Sequence, residues 1–126
     1  MLPLLKPQLD MYKKAGVVYR FTCPCNAKYI GETARELEIR IREHNQKSRA
    51  SEIYQHISTC EKYQKSLPTT TTKIRSTYNF HFRQFFTIIK GNLFSYYDRT
   101  CIEAIFISLE EPELNKQKDF RSLRIF

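Results

Sequence analysis

The strongest constraint on the fold is a change of hydrophobic period within one short stretch, VVYRFTCPCNAKYIGETARELEIRIREH. Its first residues alternate along a β-branched and aromatic run, which is typical of a strand with one buried face. That face comprises Val17, Tyr19, Phe21 and Cys23. The PCNA segment has the composition of a turn, and KYIG is interpreted as a short return strand that ends at Gly31. The two strands are therefore predicted to pair as an antiparallel hairpin.

A helix is predicted directly after this hairpin. Thr33, followed three residues later by Glu36, has the pattern of a capping box, which opens a helix. The helix is expected to run to about Asn45. Its buried stripe comprises Leu37, Ile41 and His44. Arg40 and His44 are four residues apart, so their side chains project from the same side of the helix.

The remainder of the chain predicts two more helices, a loop and a third strand. Residues 51–60 have helical spacing, residues 61–77 are polar and threonine-rich as in a loop, and residues 78–90 have the aromatic content of a strand. A last helix is predicted over 98–110 and ends before Pro112. The stripes of these two helices are Ile53, His56, Ile57 and Cys60, and Ile102, Ile105, Phe106 and Leu109. This order predicts an α/β (α+β) fold, with a small three-stranded, mainly antiparallel sheet flanked by helices.

Positive charge is concentrated in the first half of the chain. The net charge is +8, and residues 1–50 contain ten lysines and arginines against five acids. Such an excess attracts phosphate backbones, although it is equally compatible with a merely solubilising surface. The candidate phosphate contacts are Lys13, Lys14, Arg20, Lys28, Arg35, Arg42, Lys47 and Arg49.

The length and the apolar pattern limit the class of protein. With 126 residues the chain has room for one hydrophobic core. No apolar run approaches the roughly 18 residues of a membrane span, and the first residues do not resemble a secretory signal. We therefore expect no membrane partner and a reducing compartment. There the four cysteines are thiols or metal ligands rather than disulfides.

The quoted stretch resembles the GIY-YIG endonuclease domain, in which one strand carries a Gly-Ile-Tyr-like triplet and the next strand carries Tyr-Ile-Gly. Residues 29–31 spell Tyr-Ile-Gly. Residues 17–19 align with the first triplet on Tyr19, with Val17 in place of the family's glycine. Both triplets therefore fall on the two strands of the predicted hairpin.

The rest of the family pattern follows in order along the chain. Arg40 and His44 fall where the family has its helix arginine and, in many members, a histidine. Glu103 in the last predicted helix and Asn115 in PELN match the metal-binding glutamate and a frequent asparagine. The resemblance covers residues 16–118 and is closest to the endonuclease domain of Penelope-like retroelements.

This resemblance implies hydrolysis of a DNA phosphodiester with a divalent metal. It implies Mg²⁺ or Mn²⁺ on the carboxylate of Glu103 and a phosphate contact from Arg40. Tyr19 and Tyr29 would lie over the scissile phosphate, with Tyr19 activating water and His44 sharing the proton. The implied site comprises Tyr19, Tyr29, Gly31, Arg40, His44, Glu103 and Asn115.

The cysteines form a second candidate site. Cys23 and Cys25 lie at the predicted hairpin turn, while His56 and Cys60 share one face of the second predicted helix. Together they supply enough ligands for a tetrahedral Zn²⁺, which would have a structural role. The related retroelements carry a Cys/Cys/His/His-type zinc motif. The alternative is a set of reduced thiols with His56 merely packed.

The predicted organisation is a lead-in or linker over 1–14, a GIY-YIG-like nuclease domain over 15–118 and a C-terminal tail over 119–126. The resemblance implies a nuclear enzyme that nicks DNA and so primes a reverse transcriptase domain in a longer polyprotein. Two alternatives stay open. One is a catalytically inactive, zinc-stabilised relic that binds nucleic acid, and the other is an active nuclease of DNA repair or branch processing.

Overall fold

An antiparallel sheet of three strands lies at the centre of the protein. The computed structural model describes residues 11–49, 51–67 and 81–115. The strands are β1 (Val17–Thr22), β2 (Lys28–Thr33) and β3 (Phe86–Lys90), in the spatial order β2-β1-β3. β1 pairs antiparallel with both of its neighbours. The predicted α/β fold with a small antiparallel sheet, including the β1–β2 hairpin, is confirmed.

Helices flank this sheet. They are α1 (Leu37–His44), α2 (Glu52–Thr59), α3 (Glu61–Ser66) and α4 (Tyr96–Glu110), with 3₁₀ turns at Lys47–Arg49 and Glu113–Asn115. Residues 11–13 and 81–83 are also helical. Within the described ranges, no helix combines the length and the apolar character that crossing a bilayer requires.

The alternation of β1 separates two faces of the sheet. Tyr19 and Phe21 are fully buried in the main core, where the rings of Phe21 and Phe86 lie 5.1 Å apart. The helices α1 and α2 close this core with Leu37, Ile41, Ile53 and Ile57. On the other face, Arg20 forms an ion pair with Glu110 of α4. The predicted buried face of β1 is thus confirmed, and α4 covers the opposite face.

The predicted capping box is wrong, because the strand continues through its first residue. β2 does not end at Gly31, and Thr33 still pairs with Val17. The Thr33 hydroxyl accepts a hydrogen bond from the backbone N–H of Arg35 at 3.1 Å, which makes a local turn. The helix begins only at Leu37, and its N-terminus has no side-chain cap.

The segment that follows α2 is helical where the sequence predicts a loop. Residues 61–66 form α3, in which Tyr63 is buried against an aromatic cluster. The ring of Tyr63 lies 5.9 Å from His81 and 6.3 Å from Phe82. The buried ring of Tyr63 stabilises this helix. One apolar residue does not produce a helical hydrophobic period, so the sequence does not indicate the helix. The part of the predicted loop over 68–77 lies outside the described residues.

The third strand is shorter than predicted. It begins at Phe86, whereas residues 81–83 are helical and residues 78–80 lie outside the described ranges. The continuous run of aromatic residues is therefore divided between a helical segment and the strand. Phe82 from the helical part packs edge-to-face on Phe86 from the strand, with ring centroids 5.0 Å apart.

The predicted buried stripe of α4 is wrong. Ile105 is 50% exposed and Leu109 is 73% exposed, while Ile102 and Phe106 are half-buried. The buried residue is Arg99, whose guanidinium donates to Glu32 of β2 at 2.7 Å and to the carbonyl of Leu93 at 3.1 Å. Two ion pairs with the sheet, from Arg99 to Glu32 and from Glu110 to Arg20, lie on the side of α4 that faces inward.

The two ends of the predicted domain stay only partly described. The residues nearest to the predicted lead-in contact the domain, since the Lys14 carbonyl accepts from Leu37 at 2.8 Å and the Tyr12 hydroxyl donates to the Arg83 carbonyl at 3.2 Å. Residues 1–10 and 116–126, which hold the rest of the lead-in and the whole tail, lie outside the described ranges. The limits 1–14, 15–118 and 119–126 therefore stay predictions.

Candidate active site

Gly31 leaves the space in which the Tyr19 phenol lies. The two residues face each other across the β1–β2 pair. A Cβ at residue 31 would lie 2.5 Å from the Tyr19 hydroxyl and 2.7 Å from its Cζ. Because both distances are far below van der Waals contact, only glycine allows the phenol to cross β2 at this point. The requirement at the end of the Tyr-Ile-Gly triplet is therefore steric.

The phenol ends on the imidazole of His44. The Tyr19 hydroxyl and His44 Nε2 are 2.7 Å apart, and both side chains are buried. The ring of Tyr29 meets the same imidazole edge-to-face, with centroids 5.3 Å apart. The predicted stripe of α1 is confirmed here, since it turns His44 into the core beneath both tyrosines.

Arg40 and Glu103 approach Tyr19 from two different helices. Burial raises the pKa of Tyr19 well above that of an ordinary phenol, and the neighbouring Tyr29 raises it further. The Arg40 guanidinium opposes this rise, whereas the carboxylate of Glu103 adds to it. His44 contacts both tyrosines, and Arg40 and Glu103 both lie close enough to Tyr19 to influence the pKa of its phenol. Glu103 does so although it follows Tyr19 by more than eighty residues.

Two of these residues, Tyr29 and Arg40, line a polar cleft of about 640 Å³. The cleft is lined by Tyr29, Arg40, Glu43, Gln46, Ser48, Arg49, Ser51 and Glu52. The C-terminal end of α1 forms one wall. The start of α2, where the Ser51 hydroxyl accepts from the Tyr54 N–H at 3.2 Å, forms the other. A charged, open cleft of this kind suits an extended polar substrate better than a small apolar one.

Asn115 acts on the backbone of the Tyr-Ile-Gly strand. Its Oδ1 accepts from the Ile30 N–H at 2.7 Å, and its Nδ2 donates to the Ile30 carbonyl at 2.9 Å. β2 is an edge strand among the described strands, so within the described residues no strand pairs with these groups on that side. The buried amide replaces the missing strand, and Asn115 supports the site rather than lining the cleft.

Glu43 is a site residue that the sequence analysis missed. Both oxygens of its buried carboxylate lie 2.6 Å from Nη2 of Arg35, and Arg40 approaches to 3.2 Å and Arg49 to 3.8 Å. Burial alone would raise the pKa of Glu43, but hydrogen bonds from Arg35 and Arg40 lower it below the ordinary value. The signal in the sequence was an acid at i+3 from Arg40, directly before His44.

The four predicted zinc ligands lie together at the far end of the hairpin. Their ligand atoms are all within 4.8 Å of one another. Sγ of Cys23 is 3.7 Å from Sγ of Cys60, and Sγ of Cys25 is 3.2 Å from Nε2 of His56. A tetrahedral zinc with Zn–S bonds of 2.3 Å requires edges of about 3.8 Å. The arrangement therefore fits a metal ion, and all of these cysteines are free thiols.

The thiols of this cluster have different acidities. Burial raises the pKa of Cys23 to about 12. Burial acts in the same direction on Cys60, but hydrogen bonds from the backbone N–H of Tyr63 and from Cys23 lower its pKa overall. A metal that binds here would take both sulfurs as thiolates and release their protons.

Ion pairs occupy much of the predicted phosphate-contact surface. Arg20 pairs with Glu110, and Lys13 and Arg42 both pair with Glu38. Arg35 and Arg49 pair with Glu43, as described above. Of these, Arg49 lines the cleft, so the charge that faces a substrate is more localised than the sequence indicates.

Comparison with known proteins identifies the family. The sequence model described as the GIY-YIG catalytic domain matches residues 15–112. No curated protein and no solved structure matches the chain. The chain therefore belongs to the GIY-YIG family, as the two triplets predict. This domain implies nuclease activity on DNA, and nucleases of this family typically depend on a divalent metal.

Proposed function

We propose that this protein is a divalent-metal-dependent endonuclease that nicks DNA at the cleft beside Tyr19. The observation that carries the proposal is the convergence of the phenol, the imidazole, the Arg40 guanidinium and the Glu103 carboxylate within a GIY-YIG domain. Each group has a role in phosphodiester hydrolysis in this proposal.

The proposed route of the proton runs from water through Tyr19 to His44. Because burial keeps the phenol protonated at neutral pH, Tyr19 does not act as a ready phenolate. It donates its proton to Nε2 of His44 over the 2.7 Å contact while it accepts a proton from the attacking water. The resulting hydroxide bonds to phosphorus and the bond to the leaving oxygen breaks. The imidazolium then returns its proton through Tyr19 to the leaving oxygen.

Arg40 and Tyr29 hold the phosphate in this proposal. The planar guanidinium donates two hydrogen bonds to non-bridging oxygens and stabilises the charge that develops on them. Tyr29 lines the cleft beside Arg40 and, in this proposal, orients the DNA strand. Glu103 is the oxygen ligand that would hold Mg²⁺ or Mn²⁺, and the ion supplies neutralisation of the charge on the leaving oxygen.

We further propose that Cys23, Cys25, His56 and Cys60 hold a structural Zn²⁺. Such an ion would join the turn of the hairpin to α2, which carries His56 and is directly followed by Cys60. Because α2 forms one wall of the cleft, zinc would set the width of the cleft without taking part in the reaction.

The biological setting that we propose is the endonuclease module of a Penelope-like retroelement. The support is the order of the motifs together with the cysteine and histidine ligands around the hairpin. In that setting the enzyme acts in the nucleus, and its nick primes a reverse transcriptase domain of a longer polyprotein. This role requires a nick that leaves a 3′-hydroxyl. The test is that a DNA polymerase extends the nicked strand without prior phosphatase treatment.

The test of the nuclease is relaxation of supercoiled plasmid in Mg²⁺ or Mn²⁺. We expect Glu103→Gln to lower the nicking rate by on the order of 100-fold or more. Glu111→Gln is the matched control, because it makes the same charge change on an exposed residue just after α4. Equal rates for the parent and Glu103→Gln would contradict the proposal. A parent that binds DNA without cleaving it would be the inactive relic instead.

A further inference from the structure

Three arginines surround one buried carboxylate beside the proposed reacting centre. Glu43 accepts hydrogen bonds from Arg35 and Arg40, and the Arg49 guanidinium lies 3.8 Å away. The carboxylate is 9% exposed, whereas the Arg35 and Arg49 side chains are more than half exposed. Because one negative charge faces three positive charges, the cluster keeps a net positive charge toward solvent.

The position of Glu43 connects it to Arg40. Glu43 is the i+3 neighbour of Arg40 on α1, and it precedes His44, which holds the Tyr19 phenol. The Arg40 guanidinium therefore lies between a buried carboxylate on one side and the Tyr19 phenol on the other. Both contacts restrict the rotamers of a long side chain that would otherwise move freely in the cleft.

We propose that Glu43 is a positioning residue, which holds Arg40 against Tyr19 and limits how tightly the arginine cluster binds DNA. The inference rests on the proposed function, since it assigns Glu43 a part in DNA cleavage. Two properties of the Glu43 side chain have separate effects. Its negative charge restrains the affinity for the phosphate backbone of DNA. Its length brings the carboxylate to Arg40 and so orients the guanidinium that contacts the scissile phosphate.

The two properties predict effects of opposite sign. Removing the charge adds one uncompensated arginine to the cleft wall, so DNA should bind more tightly. The same change releases Arg40, so cleavage should become slower. A residue that merely stabilised the fold would weaken binding and cleavage together, because both would fall with the fraction of folded protein.

The experiment compares Glu43→Gln with Glu38→Gln, each against the parent. Glu38 lies on the same helix and also accepts two basic partners, Lys13 and Arg42, but it does not line the cleft. DNA binding is measured by fluorescence anisotropy without Mg²⁺ or Mn²⁺ across a range of salt concentrations. Nicking is measured with the metal, and circular dichroism confirms that each variant is folded.

For Glu43→Gln we expect the logarithm of the DNA-binding constant to fall more steeply with the logarithm of the salt concentration, by about 0.9. The ratio of the variant's binding constant to that of the parent should therefore be about eightfold greater at 0.1 M than at 1 M salt. We expect nicking to fall on the order of 10-fold to 100-fold. Glu38→Gln should leave the nicking rate within about twofold of the parent. A fall in both affinity and nicking for Glu43→Gln, or equal effects at both glutamates, would overturn the proposal.

Glu43→Asp separates the effect of the charge from the effect of the side-chain length. Aspartate keeps the negative charge but is one methylene shorter, so the affinity for DNA should equal that of the parent while nicking stays low. Parental nicking in Glu43→Asp would overturn the positioning role. If the parent does not cleave DNA at all, the proposed function fails, and the salt slope of Glu43→Gln still decides whether the carboxylate restrains binding.

Discussion

The two ends of the β1–β2 hairpin are attached to different helices by different chemistry. In the half of the pair that lies away from the turn, Tyr19 crosses Gly31 and contacts His44 of α1. At the turn, Cys25 contacts His56 of α2 at 3.2 Å. The first attachment is buried and depends on shape, whereas the second is only partly buried and presents ligand atoms around a common centre.

The difference shows how one hairpin serves two purposes. The end with the tyrosines is rigid because packing and hydrogen bonds fill it, which suits groups that must meet a phosphate in one geometry. The end with the cysteines presents sulfur and nitrogen atoms around a common centre, and in our proposal a metal ion joins them. We therefore expect perturbations at the two ends to separate catalysis from metal content.

The largest effect is expected from Cys23→Ser combined with Cys25→Ser. Loss of two thiolate ligands should abolish zinc binding and lower the free energy of unfolding by on the order of 5 kcal/mol or more. The measurements are elemental analysis of the purified protein and thermal unfolding. Cys101→Ser is the control, because Cys101 lies on α4 outside the ligand cluster. A folded parent protein without bound metal would contradict the zinc proposal.

A smaller effect, confined to the other end, is expected from Gly31→Ala. The new Cβ would collide with the Tyr19 phenol, so stability should fall by about 1–3 kcal/mol and nicking should fall with it. Zinc content should remain that of the parent. Gly91→Ala is the matched control, since no atom lies within 4 Å of a Cβ built there. Similar losses in both variants would contradict the steric role of Gly31.

The smallest effect is expected from the ion pair that lies between the two ends. Arg20 Nε donates to Glu110 at 2.9 Å, and this contact lowers the pKa of the Glu110 carboxyl. The pair therefore stabilises the fold above the carboxyl pKa of the unfolded chain, and the contribution is lost as pH falls through the lower folded pKa.

Glu110→Gln should accordingly cost about 0.5–1 kcal/mol at pH 7 and nothing measurable near pH 2. Chemical denaturation at several pH values measures the difference. We expect nicking and zinc content to be unchanged, because the pair contacts neither end of the hairpin site. A difference in stability that persisted unchanged to pH 2 would show that the ion pair is not its source.

The short-range pattern of apolar residues correctly predicted the hairpin, the buried face of β1 and the buried stripe of α1. These features depend on residues two to four positions apart, and the sequence displays that spacing directly. The stripe of α4 failed for the opposite reason. Arg99 is buried because Glu32 lies opposite it, and no local period records a partner sixty-seven residues away.

The same distinction applies to the site. The resemblance to the family indicated Tyr19, Tyr29, Arg40, His44 and Glu103 as site residues. In the fold, His44 contacts the Tyr19 phenol, and Arg40 and Glu103 both influence its pKa. Glu43 escaped notice, because an acid on an amphipathic helix ordinarily faces solvent. Its burial depends on Arg35 from the preceding turn and Arg49 from the following one, which only the folded chain brings to it.

The family, the hairpin, and the residue types available for catalysis and for binding a metal can be recognised without a structure. Those are local properties, set by side-chain chemistry and by the spacing of neighbours along the chain. Which face of α4 turns inward, where the arginines find their carboxylates, and why residue 31 must lack a Cβ become known only from the folded chain. Each of these depends on contacts between distant segments, whose distances exist only once the chain has folded.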